Sequence, residues 1–192
     1  MRGSREQAAE NREKILRIAA SMYREKGFDG IGIADLMKAA GLTHGGFYGH
    51  FSSKEDLMAQ ACTHAVDELL ADGQARRAKS GGDSFVTFVE YYLSLNHRDN
   101  SGNGCLMAAL GADAARQSPK VRNAFTDNAK RLLAGMMELL KGRVDEAQVH
   151  EKALVTLATL VGAQVIARAV NDEQLSQDVL RGVAASLLQK HN

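Results

Sequence analysis

The sequence predicts an all-α protein of about nine helices, because its apolar residues recur three and four positions apart along most of the chain. One proline in 192 residues and few β-branched runs argue against a β-protein, which needs many turns and alternating strands. Capping residues and glycines separate the periodic segments and set the helix ends. No strand and no internal repeat is evident.

Three of the predicted helices lie before residue 53. The first ends at Gly27, which can adopt the left-handed conformation of a C-terminal cap. The second spans Ile33 to Ala40 and stops at Gly41. The third starts after Thr43 and is too short and glycine-rich to be stable alone, so aromatic packing must hold it. The apolar residues at helical spacing in these segments are Ile15, Ile18, Ala19, Met22, Leu36, Met37, Phe47 and Phe51.

Six further helices follow, and residues 97–104 between them have the composition of a loop. Their predicted starting residues are Ser52 (with Glu55 as a capping box), Asp83, Cys105, Ser118, Asp145 and Asn171 or Asp172.

The segment from Ala153 to Val170 is almost long and apolar enough to span a membrane. Gln164 and Arg168 interrupt it, however, and no aromatic belt flanks it. We therefore expect a helix covered by its own domain on one side and by a second subunit on another, without a membrane. Small residues in the last helix allow close helix approach, so the two terminal helices together predict a homodimer.

Composition excludes several classes of function. The net charge is +1, so bulk attraction to nucleic acid or anionic membranes is not expected. Cys62 and Cys105 are the two cysteines, too few for a disulfide framework, and no His/Cys spacing suggests zinc. We expect no metal and no cofactor. The charged N-terminus has no apolar stretch behind it, which predicts no signal peptide and a cytoplasmic protein.

Residues 31–57 predict a helix-turn-helix, in which Gly41 permits the sharp turn and Leu42 anchors it in the core. With Phe47 and Phe51 packed beneath, the second of these helices presents a polar outer side. Glycines there let the backbone approach phosphates, while hydroxyl, imidazole and ammonium groups supply donors. The side chains and glycines on this outer side are His44, Gly45, Gly46, Tyr48, His50 and Lys54.

The stretch G-L-T-H-G-G-F-Y-G-H-F-S-S-K-E-D-L resembles the DNA-binding signature of TetR-type transcriptional regulators, G-[VL]-[ST]-x-G-x-[FL]-Y-x-[HY]-F-x-x-K-x-x-L. The resemblance covers about residues 10–60. It implies a homodimer with one three-helix head per subunit, and a repressor that leaves its inverted-repeat operator when a small ligand binds. The phosphate or base contacts that the resemblance implies are Thr43, Gly45, Tyr48, His50 and Lys54.

This sequence departs from the family where Gly32 precedes the second helix, because the family often has Thr or Ser there. Since Gly45 and Gly46 have no side chains, specificity falls on Lys38, His44 and Tyr48 and on DNA shape. Residues 1–60 hold nine basic and eight acidic side chains, which predicts a shallow dependence of binding on salt.

Cys105 is the sharpest candidate for a sensor of small molecules. It opens a predicted helix, and a helix N-terminus favours the thiolate; His97 and Arg98 are near in sequence. The segment G-C-L-M-A-A-L resembles a G-C-L-x-x-x-L motif of some TetR-type regulators that respond to electrophiles or oxidants. The alternative is an inert cysteine buried in the core.

An apolar ligand pocket is expected in the C-terminal half. Gln164 and Arg168 are four residues apart, so they share a side of the long helix and either orient a polar ligand or make contacts across a dimer. The aromatic and sulfur-containing candidates for the pocket wall are Phe88, Tyr92, Met107 and Met136.

These patterns favour a DNA-binding repressor, with a DNA-binding domain at residues 1–56 and a ligand-sensing, dimerising domain at 57–192. Its partners would be an inverted-repeat DNA operator and a small apolar or electrophilic ligand. Two alternatives stay open: a helical thiol enzyme that uses Cys105 with His97 as base, and a DNA-binding protein that responds to no ligand. Activation rather than repression also remains open.

Overall fold

The computed structural model describes residues 2–79 and 81–189, and this part of the chain folds into α-helices and short 3₁₀ helices without a strand. The predicted all-α class is therefore confirmed. The α-helices are α1 (Arg2–Lys26), α2 (Ile33–Ala39), α3 (Lys54–Lys79), α4 (Ser84–Tyr92), α5 (Leu95–Asp99), α6 (Leu106–Ala114), α7 (Pro119–Leu140), α8 (Val149–Ala169) and α9 (Glu173–Leu188). The 3₁₀ helices are His44–Gly49, Ser101–Asn103 and Glu146–Gln148.

The helix-turn-helix forms where the sequence places it, but its second helix is a 3₁₀ helix. Gly27 and Gly41 have φ angles of 77° and 69°, the left-handed conformation that lets α1 and α2 end sharply. Three of the six residues of His44–Gly49 are glycine, and glycine disfavours a regular α-helix.

Two local predictions are wrong. Residues 97–104 are not a simple loop, because α5 and a 3₁₀ helix occupy most of them. The hydroxyl of Ser94 accepts the N–H of His97 at 3.2 Å and so caps α5. The side-chain cap of α3 is Ser53 rather than the predicted Ser52: Ser53 Oγ accepts the N–H of Asp56, and Asp56 Oδ2 accepts the N–H of Ser52, both at 3.1 Å.

Two hydrophobic clusters form the core. The first joins α1, α2 and the 3₁₀ helix His44–Gly49 to α3 and to apolar residues of α6 and α7. The second lies among α4, α6, α7, α8 and α9. α3 runs without a break across the proposed domain boundary at residues 56 and 57, so the N-terminal head and the rest of the chain share one helix.

Among the described residues, the segment Glu146–Ala169 is long and apolar enough to cross a membrane, and 33% of its most apolar window is buried. Its inner face, which includes Ala153 and Leu160, packs in the second cluster, where α8 contacts α7 and α9. The opposite face, which includes Leu154 and Ile166, is exposed.

Candidate DNA-binding surface and sensor cavity

The 3₁₀ helix His44–Gly49 separates buried from exposed aromatic groups. Phe47 is fully buried and its ring lies 5.7 Å from that of Phe51, which is also buried. Tyr48, the next residue, is 67% exposed, and its ring meets the edge of Phe47 at 5.2 Å between centroids. The packing predicted beneath this helix is thus present, and it holds the phenol of Tyr48 outward.

The other predicted DNA contacts are exposed or half-buried. Lys38 is exposed near the end of α2, while Lys54 is the first residue of α3 and is half-buried. Lys54 thus lies at the N-terminus of α3, where a positive side chain and the helix end both favour a phosphate. The exposed members of the helix and its cap are Thr43, His44 and Gly45, and the half-buried ones are Gly46 and His50.

An ion pair that the sequence did not reveal supports this surface. The ammonium of Lys120, at the start of α7, donates to Asp56 Oδ1 at 2.6 Å. The other oxygen of Asp56 accepts the N–H of Ser52, in the segment that follows the 3₁₀ helix. The hydrogen bond from Lys120 holds the pKa of Asp56 well below its usual range. The C-terminal half is thereby tied to the surface beside Lys54.

A cavity of about 200 Å³ lies among α3, α4 and α7, with Cys105 in its wall. It brings four of the predicted pocket residues together: Phe88, Tyr92, Cys105 and Met136. Leu132, Leu139 and Leu157 add apolar surface, and Arg76, whose guanidinium stacks 3.8 Å from the centre of the Tyr91 ring, also contributes to the wall. Leu157 belongs to α8. The cavity is therefore mostly apolar with a few polar groups, as ligand sites usually are.

Three predicted pocket residues do not contribute to this wall: Met107, Gln164 and Arg168. Gln164 is fully buried and its Nε2 donates to the carbonyl oxygen of Tyr92 at 2.5 Å. Arg168 donates from Nη2 to the carbonyl of His97 at 2.7 Å and from Nε to that of Arg98 at 2.9 Å. Both side chains bind backbone carbonyls of the α4–α5 region, in their own subunit.

His97 was the base in the alternative of a thiol enzyme, and its contacts do not fit that role. Its Nδ1 lies 2.6 Å from the carbonyl oxygen of Tyr92, and its Nε2 accepts the backbone N–H of Cys105 at 3.1 Å. These partners fix the Nδ1–H tautomer. Burial lowers the pKa of His97 to about 4. The imidazole is thus a neutral bridge between two backbone segments, with no nitrogen left for the thiol.

Cys105 forms the N-cap of α6, as predicted, and is 1% exposed. Its burial fits the inert alternative, while its place in the cavity wall gives a small molecule a path to it. Cys62 is equally buried and burial raises its pKa to about 12, which indicates a residue that packs in the core. No group of three or more metal-ligating side chains occurs among the described residues.

Comparison with known proteins gives a consistent result. Residues 15–61 match the family model of "Bacterial regulatory proteins, tetR family". The chain is 25% identical over 172 residues to the HTH-type transcriptional repressor NemR of Escherichia coli K12, covering 83% of this chain and 84% of that one. It is 34% identical over 92 residues to the HTH-type transcriptional regulator AcrR of Shigella flexneri, covering 48% and 43%.

The same fold occurs in solved structures. The crystal structure of the reduced form of E. coli NemR aligns with a TM-score of 0.78 and 24% identity, over 93% of this chain and 95% of that one. The match therefore extends through the C-terminal half, where the sequence alone indicated only length and helical content.

Proposed function

Because the chain is a transcriptional regulator of the TetR family rather than an enzyme, we propose that it is a cytoplasmic, homodimeric repressor. Two copies of the head, residues 1–56, bind an inverted-repeat operator. A small apolar or electrophilic molecule that enters the cavity, or that modifies Cys105, releases the protein from DNA. The domain formed by residues 57–192 senses this molecule and holds the dimer together.

The observation that carries the proposal is the outward phenol of Tyr48 beside a buried Phe47. A large aromatic side chain that is 67% exposed gains little stability from its position. Its hydroxyl can reach a phosphate and its ring a thymine methyl group. Lys54 and the start of α3, a few residues further along the chain, would supply a phosphate site.

Exposed apolar residues on α8 and α9 support the homodimer. Five large apolar side chains of these helices are between 45% and 57% exposed: Leu154, Val155, Val165, Ile166 and Leu175. A second copy of the same face would remove this surface from water, as a two-fold interface does.

The cavity supports release by a ligand rather than constitutive binding. Cys105 lies in its wall at the N-terminus of α6, which packs against α1 of the head. The 3₁₀ helix just before Cys105 also packs on α1: a Cβ on Gly102 would lie 2.7 Å from Ser21 Oγ. A molecule bound at Cys105 would therefore contact a segment that itself packs on α1 of the head.

The DNA-binding half of the proposal is tested with a duplex selected from a random pool. Lys54→Ala and Tyr48→Ala should each weaken binding at least about fivefold, since contacts to DNA of this kind contribute about 1–3 kcal/mol. Lys130→Ala is the control for charge, because this lysine carries the same charge but is exposed on α7. Equal affinity of the Lys54 and Lys130 variants would contradict the proposed surface.

The sensing half is tested by adding N-ethylmaleimide to the protein–DNA complex. Release should occur with the wild type and with Cys62→Ser, and should be lost with Cys105→Ser. Unchanged release of Cys105→Ser would exclude the thiol mechanism. Affinity for DNA that no small molecule or thiol reagent alters would favour the ligand-independent alternative.

A further inference from the structure

The hydroxyl of Tyr92 is buried in the wall of the cavity without a nitrogen or oxygen partner among the described residues. Tyr92 is 2% exposed, so water cannot easily supply the missing bond. A buried hydroxyl without a partner is unfavourable, and native proteins rarely keep one without a reason. Its polar neighbour in the wall is the Cys105 thiol, a weak hydrogen-bonding group.

The hydroxyl is held in a rigid setting. The carbonyl of Tyr92 accepts hydrogen bonds from His97 Nδ1 and Gln164 Nε2. The ring of Tyr92 packs 4.6 Å from the imidazole of His97 and 5.6 Å from the ring of Phe88. Because both its backbone and its ring are fixed, Tyr92 cannot readily turn its hydroxyl towards another partner.

The rest of the cavity sets the shape and polarity of what it can hold. Leucine, methionine and aromatic residues make up about half of its lining and most of its surface is apolar, while charged groups come from Asp72, Arg76, Arg77 and Glu138; its volume is about 200 Å³. An apolar cavity of about 150 Å³ is enough for benzene. A molecule with one substituted ring therefore fits, and a single oxygen on it can meet the hydroxyl of Tyr92, which is buried in this wall without a nitrogen or oxygen partner among the described residues.

We propose that the cavity selects compact apolar molecules that carry one acceptor oxygen, such as an aryl ketone, and that Tyr92 is the residue that donates a hydrogen bond to this oxygen. This rests on the proposed function, in which the cavity is the sensor site. Burial and the nearby thiol raise the pKa of Tyr92 well above its ordinary value, so the hydroxyl keeps its proton and remains a donor.

The test measures the binding of two probes by calorimetry, in the absence of DNA. Acetophenone carries the acceptor oxygen, and ethylbenzene has nearly the same shape without it. Neither alkylates a thiol, so the reactivity of Cys105 does not enter. Wild type should bind acetophenone more tightly, and Tyr92→Phe should weaken acetophenone binding about 3- to 10-fold while leaving ethylbenzene unchanged, as expected for one hydrogen bond.

Tyr23→Phe is the matched control, because Tyr23 is also buried with an unpartnered hydroxyl but does not line the cavity. It should change the affinity for neither probe. Equal losses for the two probes in Tyr92→Phe, or no preference for acetophenone in the wild type, would overturn the proposal. Tyr92→Phe removes only the weak contact of the hydroxyl with the Cys105 thiol, so its melting temperature should lie close to that of the wild type.

These outcomes are separate from the proposed function. Ketone binding without release from DNA would leave the selectivity of Tyr92 intact and contradict ligand-controlled repression. Release of the protein from DNA by a probe whose binding is unchanged in Tyr92→Phe would support ligand-controlled repression and contradict the role of Tyr92.

Discussion

Acidification should destabilise the protein through His97. This imidazole is 2% exposed, bridges the carbonyl of Tyr92 and the N–H of Cys105, and has its pKa lowered by burial to about 4. In the unfolded chain its pKa is near the ordinary value of 6.5. As the pH falls, the unfolded chain therefore takes up a proton first. The stabilisation is complete well above pH 6.5 and is lost as the pH falls from there towards 4.

The size of the effect follows from this difference. Each pKa unit corresponds to about 1.4 kcal/mol, so lowering the pH from 7 to 4.5 should reduce the free energy of unfolding by about 2 kcal/mol through this one group. The pKa values of the carboxyls of Asp56 and Asp99 lie below their ordinary values, so these groups titrate mostly below this range.

The assay is urea unfolding at several pH values, with wild type, His97→Gln and His150→Gln. His150 is exposed, so its variant should keep the pH dependence of the wild type, while His97→Gln should lose about 2 kcal/mol of it. Titration of the wild-type imidazole resonances by NMR gives the same answer should His97→Gln fold poorly. Identical pH dependence in all three proteins, or a midpoint near 6.5 for His97, would refute the bridging role.

Three other predictions concern the head, the segment before Cys105 and the charge of the DNA surface. Phe47→Ala should lower the free energy of unfolding by about 3–5 kcal/mol, whereas Tyr48→Ala should leave it nearly unchanged and weaken DNA binding; similar stability losses in the two variants would contradict the packing. Gly104→Ala should destabilise by about 1–3 kcal/mol, because its Cβ would lie 3.0 Å from both His97 Nε2 and Arg168 Nη2, while Gly111→Ala, with open space around it, should not destabilise. The salt dependence of operator binding should be shallow, given nine basic and eight acidic residues in 1–60, and a slope equivalent to more than about ten phosphates per dimer would contradict this.

The head was predictable because its signals are local. Gly27 and Gly41 mark helix ends through their backbone freedom, and Phe47 and Phe51 are four residues apart on one side of a short helix. What the sequence did not reveal there is the 3₁₀ geometry and the ion pair between Asp56 and Lys120, since its two partners are 64 residues apart.

The C-terminal half was less predictable because its partners are distant in the chain. The sequence placed Phe88, Tyr92 and Met136 in one pocket and singled out Cys105 as a thiol sensor, and the cavity brings the four together. Gln164 and Arg168 looked equally suited to a ligand, yet their hydrogen-bond partners are backbone carbonyls about 70 residues away. Backbone carbonyls occur at every residue, so no sequence pattern identifies them as partners.

The most direct test of the account is to incubate the purified protein with a random duplex pool and sequence what it retains. A homodimeric regulator should enrich one inverted repeat, with half-sites separated by whole turns of the duplex. The selected duplex is then used to measure whether ligands and thiol reagents release the protein from DNA. A retained pool no richer in any sequence than the input, both with and without reductant, would contradict a sequence-specific regulator.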